Sequence, residues 1–130
     1  MSEGLKLKKR NCKRFSIPGI TLYYREKTFF LFPGKYSPDY YPVINLSKGG
    51  AKFLCHQRFS PGCRITIKLD IPGMDQPHEI LASIKWISKN PEQSYRYQTG
   101  ISFNSYGSRK NENSMEILSF LKALEAGAAV

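Results

Sequence analysis

Acidic residues are scarce in this chain, with ten Asp and Glu against twenty Lys and Arg, a formal net charge of +10. Such a balance favours an anionic partner, whether nucleotide, nucleic acid, acidic protein surface or anionic lipid, and charge alone does not choose among them. Long apolar runs are missing too. Nothing approaches the roughly 20 residues of a membrane span, and the basic N-terminus carries no apolar segment of the secretory type, so a cytoplasmic location is expected. Cysteine is sparse and unpaired: Cys12, Cys55 and Cys63 are odd in number and irregular in spacing, unlike the disulfide framework of a small secreted domain. No C-x-x-C or H-x-x-x-H pair is present, and Cys55-His56 followed by Cys63 fits no metal-ligand spacing, so no metal site is expected. Cys55 reads as a small core residue with His56 on the opposite, wetter face. Ser47, His56, Asp70 and His78 show no nucleophile–base spacing and no carboxylate pair stands out, so the chain is not expected to be an enzyme.

The 130 residues suit one domain with a single core, and 41% hydrophobic with 23% charged residues is ordinary globular usage. Lys6, Lys8, Lys9, Arg10, Lys13 and Arg14 crowd positive charge into the first fourteen residues against Glu3 alone. This segment has no hydrophobic period, so residues 1–14 are expected to form a flexible basic arm. From residue 15 the pattern changes. A β-branched and aromatic strand at 20–24 follows the Pro18-Gly19 turn, and 29–32 reads as a second short strand or the continuation of a hairpin. Pro and Gly punctuate a loop at 33–39. Strands follow at 40–46 and 51–56, joined by a hairpin connection at 47–50. After the Ser60-Pro61-Gly62 turn, residues 64–69 alternate so that Ile65, Ile67 and Leu69 face inward. A loop at 71–78, a long strand at 79–87, a polar turn at 88–94 and a last strand at 95–103 complete the run. Short antiparallel strands without intervening helices predict an all-β fold, a small barrel that closes its own edges.

The last element reads as a helix over about 113–125, with a capping-box-like start at Asn113 and Glu116. Its apolar stripe comprises Met115, Ile117, Leu118, Leu121 and Leu124. It is expected to pack on the barrel or seal one mouth; a homodimer seam or partner-docking face is the alternative. Residues 126–130 read as a frayed tail.

Function is concentrated in two stretches. In Asn45-Leu46-Ser47-Lys48-Gly49-Gly50, polar Asn45 and Ser47 stand two apart at a strand end, where an extended chain would present both from one face. The glycines that follow let a flat, charged group approach the backbone. Arg10 and Arg14 place two guanidinium groups four residues apart in a polar segment, both able to reach an anionic, planar ligand.

The order R-x-x-x-R then [D/N]-x-S-x-x-G resembles the signature of the PilZ family, which binds the bacterial second messenger cyclic di-GMP. Arg10 and Arg14 fill the first half; Asn45, Ser47 and Gly50 fill the second, with Asn where Asp is commoner. Gly49-Gly50-Ala51-Lys52-Phe53, Ile84-Lys85-Trp86 and Tyr97-Gln98-Thr99-Gly100-Ile101-Ser102-Phe103 are similar to the family's later strands. The distance between the motif halves is long for the family, which implies an insertion. The resemblance implies a six-stranded antiparallel barrel with a C-terminal helix. It also implies a receptor that turns cyclic di-GMP binding into altered contacts with a downstream protein, in control of motility, biofilm or exopolysaccharide. In that role Arg10 and Arg14 contact guanine and phosphate, Asn45 and Ser47 receive the ligand from the barrel side, and Gly50 leaves room. Lys9 and Gly49 are secondary candidates. Arginine suits the task because its fork matches guanine O6 and N7, stacks on a base and grips phosphate. No cofactor is implied.

Two other readings stay open. One is a barrel for single-stranded nucleic acid, using Tyr23, Tyr24, Phe29, Phe30, Tyr36, Tyr40 and Tyr41 as stacking groups, although strand core explains most of them. The other is a ligand-independent docking module with its surface at 29–42.

Overall fold

The computed structural model describes residues 13–26, 35–92 and 94–128. Its six strands are β1 (Thr21–Glu26), β2 (Tyr41–Leu46), β3 (Gly50–Cys55), β4 (Arg64–Asp70), β5 (His78–Lys89) and β6 (Tyr97–Phe103), followed by one helix, α1 (Met115–Ala128). They close into a barrel in the order β1-β2-β3-β6-β5-β4, every neighbouring pair antiparallel. The expected strand at 29–32 lies outside the described residues, as do Lys9, Arg10 and Cys12.

Alternation builds the barrel wall. In β4, Ile65, Ile67 and Leu69 are buried while Thr66 and Lys68 are half-exposed, so each apolar side chain points into the core. Leu22, Phe53, Ile80 and Ile101 join them from four other strands. Each such side chain contributes about 1.5–3 kcal/mol by leaving water. Cys55 is wholly buried, with its thiol 3.3 Å from the Thr99 hydroxyl, and neighbouring His56 is exposed. One end of the core is aromatic: Tyr24 touches Tyr41, Phe53 and Phe59. The Tyr24 hydroxyl donates to Gln57 Oε1 at 2.9 Å, and the Gln57 amide donates on to Glu26.

β5 runs longer than its alternation suggested, twelve residues rather than nine, because a register shift between Ile84 and Trp86 restarts the period. Ile80, Ala82 and Ile84 face inward before the shift. After it Ile87 packs on the core and Trp86 turns outward.

The helix differs from expectation at both ends. Its cap is Ser114, whose Oγ accepts from the Ile117 amide at 3.3 Å. Asn113 is drawn elsewhere. Almost completely buried, it accepts from the Leu81 amide at 2.8 Å and donates to the carbonyls of Leu81 and Asn104 at 3.0 and 3.1 Å. Met115 is 51% exposed rather than part of the core stripe, whereas Leu118 and Leu121 are fully buried. The helix also continues to Ala128, past the expected end at 125.

Two stability predictions follow from these contacts. Removing the Asn113 amide leaves the Leu81 backbone groups without their side-chain partner, so Asn113→Ala should lower urea stability by about 2–3 kcal/mol; a loss below about 0.5 kcal/mol would contradict this. Burial pushes the Cys55 thiol and the Tyr24 and Tyr41 hydroxyls above their usual ranges. The unfolded chain therefore gives up these protons first, from about pH 8.5 for cysteine and about pH 10 for tyrosine, and stability falls as pH rises. Urea midpoints should decline from about pH 8.5 and drop more steeply above about pH 10; a midpoint unchanged to about pH 11 would count against the buried-hydroxyl account.

Candidate functional site

Residues just before the barrel are stitched to β2. Phe15 donates to the Leu46 carbonyl at 2.9 Å and accepts from the Leu46 amide at 2.8 Å, while Ser16 Oγ donates to the Ile44 carbonyl at 2.7 Å. This antiparallel bridge sets Arg14 beside Asn45, and Arg14 Nη1 donates to Asn45 Oδ1 at 2.8 Å. The two halves of the motif, thirty-one residues apart in sequence, thus meet in one hydrogen bond. The Asn45 oxygen carries no formal negative charge, so this contact is a hydrogen bond and not an ion pair.

The turn from β2 to β3 is built by its own residues. Ser47 is buried, and its Oγ accepts from the Gly49 and Gly50 amides, each at 3.1 Å, while its backbone amide donates to the Gly50 carbonyl at 2.8 Å. The hydroxyl expected on an open shelf is engaged in folding the turn. Gly50 is required by the sheet: a Cβ there would lie 2.2 Å from the Ile101 carbonyl oxygen on β6. Gly49 contributes through its backbone, accepting from the Phe103 amide at 2.8 Å. Of the expected site residues, Arg14 and Asn45 are brought together, Ser47, Gly49 and Gly50 shape the turn beside them, and Lys9 and Arg10 lie outside the described residues.

Strand register extends the site across the barrel's outer face. Asn45 pairs with Lys52 on β3, Lys52 with Gly100 on β6, and Gly100 with Trp86 on β5. Gly100 is buried because the Trp86 indole lies over it; a Cβ there would come 2.3 Å from the ring. Three strand-to-strand steps make a row about 14 Å long, carrying amide, ammonium and a flat ring in that order. Lys52 and Trp86 were not anticipated as site residues. The available signal was the pairing of a lone Trp with a strand glycine, which becomes informative only once register is known.

Other candidates do not converge. His56 stacks on Tyr95 and His78 on Phe120, while the Ser47 hydroxyl is engaged by the Gly49 and Gly50 amides. Among the described residues no group of three or more His, Cys, Asp or Glu is placed to hold a metal, and no helix is long and apolar enough to cross a membrane. Tyr24 and Tyr41 belong to the core, Tyr40 is exposed, and Phe29 and Phe30 lie outside the described residues. A cavity of about 440 Å³ lined by Tyr23, Tyr36, Ser37, Lys68, Asp70 and Asp75 includes no motif residue.

A closed six-stranded barrel with a C-terminal helix and an arginine bonded to an N-x-S-x-x-G turn is the architecture of a PilZ domain. The PilZ domain family model matches residues 8–120, and the chain belongs to that family. By sequence no curated protein matches it. Among solved structures it is similar to the Bacillus subtilis inhibitor of motility MotI/DgrA (TM-score 0.58, 12% identity, covering 93% of this chain and 53% of that one). It is also similar to MrkH, described as a c-di-GMP-dependent transcription regulatory factor (TM-score 0.62, 13% identity, 92% and 50%). A third is the PilZ domain of Escherichia coli YcgR, solved with c-di-GMP (TM-score 0.57, 16% identity, 94% and 98%). The chain spans about half the length of the first two, and at these identities the likeness is one of fold.

Because the added methyl group of Gly50→Ala would meet a backbone carbonyl, this variant should lose roughly 1–3 kcal/mol of stability without any ligand present. Thermal melts of the free protein test this, and an unchanged melting temperature would contradict the close approach of Gly50 to the Ile101 carbonyl as a packing constraint.

Proposed function

We propose that this chain is a cyclic di-GMP receptor that acts as an adaptor rather than an enzyme, changing its contacts with a downstream protein when the messenger binds. The observation that carries the reading is the Arg14–Asn45 hydrogen bond, which joins both motif halves in a member of the PilZ family. The c-di-GMP bound to the similar YcgR domain supports the choice of ligand.

In this reading the messenger lies along the outer row. Arg10 and Arg14 present their forks to guanine O6 and N7 or to phosphate, Asn45 hydrogen-bonds the ligand, and Lys52 meets a phosphate. The Trp86 ring offers a base a stacking face. Ser47, Gly49 and Gly50 hold the turn that sets Asn45. Lys9 serves as an auxiliary cation, and residues 1–14 act as an arm that closes over the ligand. Ordering four residues of such an arm costs about 4–8 kcal/mol of backbone entropy. A charged hydrogen bond returns roughly 1.5–3 kcal/mol and a stacked cation about 0.5–2. One arginine returns about 2–5 kcal/mol by these figures and two return about 4–10, so the pair covers a cost that one meets only at its upper limit. Closure would alter the surface offered to the partner, and a cytoplasmic location fits a soluble messenger.

Calorimetry with cyclic di-GMP, GTP and cyclic di-AMP tests the ligand. Only the first is expected to bind, and Arg10→Ala or Arg14→Ala should weaken it at least about tenfold, or about 1.4 kcal/mol. Unchanged isotherms for both variants would refute the assignment.

A further inference from the structure

The motif's remaining side chain points to a link between the binding turn and the helix. Lys48 sits at the tip of the turn, between Ser47 and Gly49, and its ammonium lies 3.7 Å from Glu125 Oε1 on α1. Both side chains are only about one-fifth exposed, so solvent screens the pair less than an open surface pair. The Lys48 backbone is separately held, because the Tyr106 hydroxyl donates to its carbonyl. What remains free to change is the direction of the side chain.

Glu125 is poorly placed without Lys48. It lies in the last turn of α1, where the helix dipole is negative, and that turn has no basic residue of its own. Lys48 supplies the missing cation from the barrel. The rest of the helix needs no such help: Leu118 and Leu121 are fully buried and Phe120 stacks on His78 at 3.8 Å. Loss of one ion pair therefore reaches only the final turn. An anion seated along the Asn45–Lys52 row would lie about 10 Å from the turn tip by strand rise, comparable to the screening length of about 8 Å at physiological salt. Its pull on Lys48 is therefore weakened but not abolished, and grows at lower salt.

We propose that Lys48 is a cation shared between the ligand and Glu125: the messenger's phosphate draws it away, and the last turn of α1 loosens as a result. This rests on the cyclic di-GMP reading and adds to it a ligand-contacting residue and a route from the site to the helix. The coupling is reciprocal, so a helix end that no longer holds Lys48 leaves it to the ligand.

The test is a double-mutant cycle on the full chain, titrated with cyclic di-GMP. Glu125→Gln keeps the side chain's shape and should tighten binding about two- to fivefold, the range of a modest ion pair. Lys48→Gln should weaken binding and erase the benefit of Glu125→Gln. In the unmodified chain, NMR order parameters at residues 125–128 should fall on saturation while those at 118–121 stay constant. Unchanged affinity in Glu125→Gln, the same gain in the Lys48→Gln background, or a helix end that stiffens would overturn the proposal while leaving the receptor reading intact. An unmodified chain that does not bind cyclic di-GMP would overturn both.

Discussion

The site depends on two backbone hydrogen bonds between Phe15 and Leu46. They place the segment leading into the barrel antiparallel to the end of β2, and with the Ser16–Ile44 bond beside them they put Arg14 within reach of Asn45. Without that bridge the two motif halves would have to find each other across a loop of about thirty residues, and loop-closure entropy would oppose them. The fold has already met that cost. The barrel behind it is rigid for ordinary reasons, namely alternating apolar strands and a closed sheet with no free edge.

Around the bridge, residues expected to bind a ligand also build the fold. Ser47 folds its own turn, Gly50 admits the Ile101 carbonyl, and Gly49 accepts from Phe103. Each sets the place and angle of Asn45. The motif therefore describes a turn of particular shape pressed against β6, with Arg14 beside it and Lys52 and Trp86 along the neighbouring row.

Much of the architecture was legible because one-sided burial leaves a period of two. β4 could be read directly from Ile65, Ile67 and Leu69, and the contrast of buried Cys55 with exposed His56 followed from the same rule. Reading failed where a local rule met a long-range one. The shift at Lys85 breaks the period of β5, so its length and the outward turn of Trp86 depend on pairing with β6. Asn113 is a good capping residue by type, but the Leu81 backbone across the barrel claims its amide and Ser114 takes the cap. Asn45 and Ser47 were expected to share a face on the assumption of continued extension; the strand ends at Leu46, and the turn carries the Ser47 hydroxyl inward.

Trp86 is the chain's one tryptophan, and its indole packs against Gly100 on the outer wall. Indole emission is sensitive to what covers the ring, so this protein carries a built-in fluorophore at a single known address. Quenching or a spectral shift would report on that patch of the wall without labels and without the averaging that several tryptophans impose.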